Sequence, residues 1–293
     1  MRSALALVTL FAALLVASGP PAVAAATASG GLDDRGCRPS ERHPSPVVLL
    51  HGLGGNGPGN LGPLGRRLAG EGYCAYQLTY GQPVPGVPVG GLNRIEESAR
   101  EIGEFIERVR ADTGASKVDI VGHSEGGFLS LYVPKKLGIA RKVDTVVALA
   151  PPTHGTTFGG LVSVADTAQQ RELVDRVLRQ SGCQACPQLL PGGSAVRELD
   201  DGPIAQDGIA YTVIATRADA LVTPHESELL GTEETAFIRE RGVHNLYVQD
   251  EVPVDAVGHI GLAYDEAVHR MVLNALDPDR AEPLPPVSAG VPL

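Results

Sequence analysis

Residues 117 to 127 read KVDIVGHSEGG, and FLSLYV follows at once. The β-rich run Val118 to Val121 stops at Gly122-His123-Ser124-Glu125-Gly126, and an apolar helical pattern resumes with no linker between them. A strand that becomes a helix over one residue leaves the chain few architectures. Gly-x-Ser-x-Gly in that setting is the pattern of a nucleophile elbow, in which the glycines make room for a tight turn and the serine hydroxyl is thrust out above a sheet. Ser124 would then stand at a helix N-terminus, where unpaired N–H groups and the helix dipole favour developing negative charge. The rival reading, a plain glycine-rich turn, does not call for the strand before it and the helix after it.

The rest of the chain agrees with that corner. From Pro46 onward short β runs alternate with helical patterns, the sign of a mostly parallel central sheet with helices on both faces. The expected strands are Val47 to Leu50, Cys74 to Leu78, Val118 to Val121, Thr145 to Leu149, Tyr211 to Ala215 and Asn245 to Val248. The clearest helix is Asn93 to Arg110, where Ile95, Ala99, Ile102, Phe105, Ile106 and Val109 recur at helical spacing. Residues 155 to 208 exceed an ordinary crossover and predict a small cap-like insertion with a helix at Gln169 to Arg179. The catalytic domain is expected over residues 25–277. The end of the chain, 278–293, is proline-rich with no apolar period and predicts a mobile tail.

A serine hydroxyl needs a base to take its proton and a third group to hold that base. For a strand–elbow–helix fold the chain order is serine, acid, histidine. His259, in VDAVGHIGLAY, lies after the last strand and before a terminal helix, where an imidazole could hang over Ser124. His154 fits a loop or pocket wall, His244 the wrong edge of the sheet, and His269 a helix surface or packing position. Asp219 follows the strand in YTVIATRADA, at the carboxyl edge where functional groups of parallel sheets collect; Asp250 and Asp255 are the runners-up. The N–H groups of Glu125 and of Leu53, in VVLLHGLGGNG, are the candidate donors for an oxyanion. A nucleotide-binding reading of those glycines lacks the Lys-Ser/Thr that a P-loop needs. The Glu125 carboxylate is expected to point away and meet the helix N-terminus.

The first residues predict export. Arg2 is a short basic region, Ala4 to Val16 is apolar, and Ala22-Val23-Ala24 offers small residues at a cleavage site, so residues 1–24 read as a signal peptide. The rival, a membrane anchor, would need a longer apolar run than one broken by Gly19-Pro20-Pro21. Four cysteines in an oxidising compartment favour disulfides over metal, and three pairings are open. Cys37 with Cys74 would tie the N-terminal arm to an early strand, and Cys183 with Cys186 would close a small ring; a redox or half-zinc role for the C-x-x-C lacks supporting context. A net charge of -10 disfavours a nucleic-acid partner.

Together PVVLLHGLGGN, GYCAYQLTYG, VGHSEGG, APPTHGTT, YTVIATRADALVTP and HIGLAYDEAVHRMVLNALDP resemble the secreted triacylglycerol lipases and esterases of actinobacteria, in the α/β-hydrolase superfamily. The resemblance runs from about Cys37 to about Pro278. It implies an extracellular carboxylic-ester hydrolase with Ser124 as nucleophile, Asp219 as acid, His259 as base, oxyanion donors at Leu53 and Glu125, and the two disulfides above. It departs from its relatives at Glu125, where a neutral side chain is common. No metal or organic cofactor is implied, and the expected partner is a small or lipid ester, met by a monomer, with a lipid–water interface as one place of encounter. An acyltransferase or peptidase would use the same residues, and a silent binding protein would keep the same fold. TFGGLVSVA and GQPVPGVPVGG are candidate walls for an acyl chain.

Overall fold

The computed structural model describes residues 30–160, 162–163, 170–226 and 231–285. The expected signal peptide, the last residues of the tail and part of TFGGLVSVA lie outside these. Seven strands form one sheet in the order β1-β3-β2-β4-β5-β6-β7. They are β1 (Gly31–Leu32), β2 (Val47–Leu50), β3 (Cys74–Gln77), β4 (Val118–His123), β5 (Val143–Leu149), β6 (Ala210–Ala215) and β7 (Val243–Tyr247). Every pairing between them is parallel. The six strands expected from the sequence are all present, with ends moved by up to two residues; β1 is too short to leave a periodic signal.

Parallel strands must be covered on both faces, and the alternation of side chains does this here. Val48, Leu50, Ile120, Val146, Ala148 and Val213 point to one core, with Ile95, Ile102, Ile106 and Phe128. Val47, Leu49, Val121, Val147, Leu149 and Ile214 point to the other, with Leu61, Leu64, Leu68, Val268 and Val272. The described helices are, in chain order, α1 (Gly57–Asn60), α2 (Gly62–Gly70), α3 (Ile95–Thr113), α4 (Glu125–Lys136), α5 (Arg171–Gln180), α6 (Ser194–Asp200), α7 (Val248–Glu251) and α8 (Glu266–Leu276). Helices α3 and α4 build the first core, and α2 and α8 the second.

Helix α3 starts two residues later than expected because Arg94 is still extended, at ψ 143°. The Ile95 N–H is taken up by Gln188 Oε1 at 2.8 Å, which pins the helix start to the insertion. It ends at Gly114, whose φ of 75° permits the left-handed cap. Cys37 is bonded to Cys74 and Cys183 to Cys186. The tail, expected to be free from residue 278, is held as far as Leu284. Asn274 exchanges two hydrogen bonds with the Glu282 backbone, Arg270 pairs with Glu282 at 2.7 Å, and Leu284 packs on the second core. One apolar residue and one amide pair in an otherwise aperiodic stretch are enough to dock it. No described helix is long and apolar enough to cross a membrane.

Candidate active site

Strand β4 delivers the serine. The Ser124 N–H still donates to Leu149 O across the sheet, at 2.8 Å, while the Ser124 carbonyl already accepts from Phe128 N, the first bond of α4. One residue therefore belongs to both elements, and it does so at φ 57°, ψ -121°. Such a conformation costs a side-chain-bearing residue on the order of 1–3 kcal/mol. The flanking glycines are required by close approach: a Cβ at Gly122 would lie 2.0 Å from Gly126 O, and one at Gly126 would lie 2.1 Å from Leu50 O.

The three side chains singled out in the sequence meet. His259 Nε2 is 2.8 Å from Ser124 Oγ, and His259 Nδ1 is 2.7 Å from Asp219 Oδ2. The second carboxylate oxygen of Asp219 accepts from Leu221 N and Val222 N, both at 2.8 Å. An acceptor at Nδ1 fixes the imidazole proton there and leaves the Nε2 lone pair facing the serine hydroxyl. Histidine and aspartate are both buried, so their attraction is little screened. The other candidates are elsewhere: Asp250 pairs with Arg217, Asp255 accepts from Val257 N, His154 pairs with Asp200, His244 lies within β7, and His269 meets Ala263 O.

The loop after β2 runs alongside. A Cβ at Gly52 would lie 3.1 Å from that of Ser124. Its shape is set by Gly54 N to Gly90 O, Gly55 N to Gly52 O, Gly90 N to Gly55 O and Gly52 N to Asn60 Oδ1. These bonds pass over Leu53, whose N–H meets no acceptor among the described residues. Glu125 N–H, in the first turn of α4, has no intrahelical acceptor either. Leu53, Glu125, Ser124 and His259 line one cavity of about 280 Å³, whose other walls include Phe158, Leu189, Leu221, Val222 and Ile260. Phe158 comes from one of the two segments read as an acyl wall; the other, residues 81–91, does not line this cavity.

Glu125 departs from expectation. Its side chain is fully buried, and neither carboxyl oxygen has a hydrogen-bond partner. It lies so close to Gly91 that a Cβ there would be 2.2 Å from Oε2. Burial holds the carboxyl well above the usual range, so it stays a neutral acid and puts no charge beside the serine. The unfolded chain ionises this group above about pH 4.3. Folding then takes up a proton, and this group lowers stability as pH rises from there toward its raised folded value. Glu125→Gln should therefore melt higher than wild type at pH 8, with the gap closing toward pH 5; a gap that does not change with pH would contradict a protonated Glu125.

Several residues around the site have no signal in the sequence pattern. His51 is buried and pushed down to about 4 by desolvation, and as a neutral ring donates from Nδ1 to Gly52 O at 2.8 Å and accepts from Tyr80 N at 3.3 Å. Desolvation likewise pushes His123 down to about 3; its Nε2 is 2.9 Å from His259 O and its Nδ1 3.1 Å from Asn60 Oδ1. Asn60 thus touches both the loop of Leu53 and the histidine that braces His259.

A family model for class 2 lipases matches residues 44–253. The chain belongs to the class 2 lipase family. The match contains Leu53, Ser124, Glu125 and Asp219 and stops short of His259, which only the three-dimensional arrangement brings to this lipase family member's serine. Among solved structures it is similar to Aspergillus fumigatus lipase B, with a TM-score of 0.59 and 19% identity over 83% of this chain and 54% of that one. The chain thus spans about half the length of that lipase. It is also similar to a Paleococcus ferrophilus monoacylglycerol lipase, with a TM-score of 0.50 and 18% identity over 80% of this chain and 96% of that one. A Bacillus licheniformis lipase in mature form gives a TM-score of 0.50 and 16% identity over 74% and 86%. Sheet order, elbow and these likenesses make the fold that of the α/β-hydrolases.

Proposed function

We propose that the protein is a secreted serine carboxylic-ester hydrolase that cleaves acylglycerols or related lipid esters through an acyl-enzyme on Ser124. The observation that carries this reading is the Ser124–His259–Asp219 chain, with links of 2.8 and 2.7 Å, at the floor of a mainly apolar cavity. Ser124 Oγ attacks the ester carbonyl as His259 Nε2 takes its proton, and Asp219 stabilises the imidazolium. The N–H groups of Leu53 and Glu125 receive the oxyanion. As the C–O bond to the alcohol breaks, His259 returns the proton to the leaving oxygen. Water then repeats the sequence on the acyl-enzyme, freeing the acid and restoring the serine.

Phe158, Leu189, Leu221, Val222 and Ile260 give the cavity the apolar walls that suit an acyl chain. Leu221 and Ile260 are also exposed, which suits a site that takes its substrate from a lipid surface. Phe158 and Leu189 belong to the 155–208 insertion, which supports its reading as a cap. Both disulfides support an oxidising, extracellular location.

The test is a panel of p-nitrophenyl esters of rising acyl length, with an emulsified triglyceride, followed by mass mapping after an alkyl phosphonate fluoride. The expected result is ester hydrolysis that stops as one phosphonyl group attaches to Ser124. Label on another residue, or a folded protein that hydrolyses none of these esters, would overturn the assignment.

A further inference from the structure

Behind Asp219 lies a second histidine–carboxylate pair that the hydrolytic reaction as written does not use. His225 Nε2 is 2.6 Å from the Asp219 carbonyl oxygen, and His225 Nδ1 is 2.8 Å from Glu234 Oε2. Glu234 is buried, and its carboxylate is held by Tyr247 Oη–H at 3.0 Å and by Ala236 N–H at 3.1 Å. A carbonyl and a carboxylate can only accept, so both ring nitrogens of His225 must donate. Only the imidazolium makes both bonds; a neutral ring would give up one of them and turn a lone pair toward an acceptor.

We propose that His225, held as an imidazolium between Glu234 and the Asp219 carbonyl, is a positioning residue for the catalytic acid. The proposal rests on the serine-hydrolase reading above. The Asp219 carboxylate is already fixed by Leu221 N and Val222 N, both within the same turn as Asp219 itself. Those bonds set the carboxylate relative to its own loop. His225 ties that loop, through Glu234 and Tyr247, to strand β7 and so to the sheet that carries Ser124. Loss of one bond to the imidazolium would free the loop to shift relative to His259, and small misplacements of a triad member are costly.

Among the described residues the charged groups facing His225 are Glu234 and Asp219, and both favour its protonated form. Its hydrogen bond to Glu234 is the main cause of a rise to about 9, with burial opposing it. The ring is therefore charged through the neutral range, and the link to Asp219 weakens as pH rises through about 9. Without the Glu234 carboxylate the ring should return toward the ordinary histidine value of about 6.5.

The experiment uses the full chain and a water-soluble triacylglycerol in a pH-stat, comparing wild type, Glu234→Gln and His225→Gln from about pH 6 to 9.5. For Glu234→Gln the deficit in kcat relative to wild type should deepen with pH, from slight at pH 6 to at least about tenfold at pH 8.5, with KM little moved. For His225→Gln the deficit should be the same at every pH up to about 8.5, because the titrating group is gone. In parallel, ring-¹⁵N histidine NMR of the wild type should show one buried ring protonated at both nitrogens at pH 8 and missing from His225→Gln. A pH-independent deficit in Glu234→Gln, or a His225 ring that titrates near pH 6.5 in wild type, would overturn the proposal. If Glu234→Gln does not fold, the wild-type NMR titration decides by itself. Failure of wild type to hydrolyse any ester would instead strike at the serine-hydrolase reading, and the proposal would fall with it.

Discussion

Replacing Ser124 with alanine should lower kcat for ester hydrolysis by at least about 10⁴-fold, and His259→Ala by a similar factor. The two losses should not multiply. In the proposed mechanism Ser124 Oγ and His259 Nε2, 2.8 Å apart, act as one device: the hydroxyl is a useful nucleophile only while the imidazole takes its proton. The double variant should therefore be about as slow as either single one, leaving the residual rate that oxyanion donors and substrate binding supply. The measurement is single-turnover and steady-state hydrolysis of one soluble ester by all four proteins. Independent, multiplying losses would mean that the two side chains do not share a step. A different change at this position, Ser124→Gly, tests the elbow from the other side, because it removes the side chain at φ 57° and should raise the melting temperature as it abolishes turnover.

Asp219→Asn should lower kcat by up to about 10⁴-fold with KM little changed. The amide keeps the shape of the side chain and can still accept from Leu221 N and Val222 N through its oxygen. That leaves its NH₂ toward His259 Nδ1, where a donor favours the wrong imidazole tautomer and offers the imidazolium no countercharge. Asp250→Asn is the control. Asp250 is half exposed and paired with Arg217, so its removal should alter kcat by less than about threefold. Parallel pH–rate profiles of the two variants with a soluble ester decide the matter, and a larger loss at Asp250 would move the acid's role away from Asp219.

The architecture was readable in the sequence because its signals are local. Unbroken short apolar runs in Val47 to Leu50 and Val146 to Leu149 report strands covered on both faces, and the 3.6-residue stripe from Ile95 to Val109 reports a helix packed on a sheet, wherever that sheet lies. The one-residue change from strand to helix at Ser124 has the same character, since backbone sterics at Gly122 and Gly126 decide it. Chain order then ranked Asp219 and His259 above five other candidates. Local signals misled where the outcome depended on a distant neighbour. Glu125 reads as a carboxylate turned away to meet its helix N-terminus, yet the loop carrying Gly91 closes over it. The tail reads as free, yet Leu284 finds the second core.

By itself, then, the sequence determined the parallel layered fold, the strained corner and the identity of the residues that had to meet, because each follows from periodicity, backbone sterics or chain order. Tertiary structure alone decided the 2.7 and 2.8 Å contacts of His259, the neutral state of Glu125, and the placing of Asn60, His123, His225 and Glu234 around the site. The physical reason is that hydrogen bonds and desolvation act over a few ångströms in space, between groups as far apart in the chain as Ser124 and His259, and no periodicity records which distant atoms will share that space.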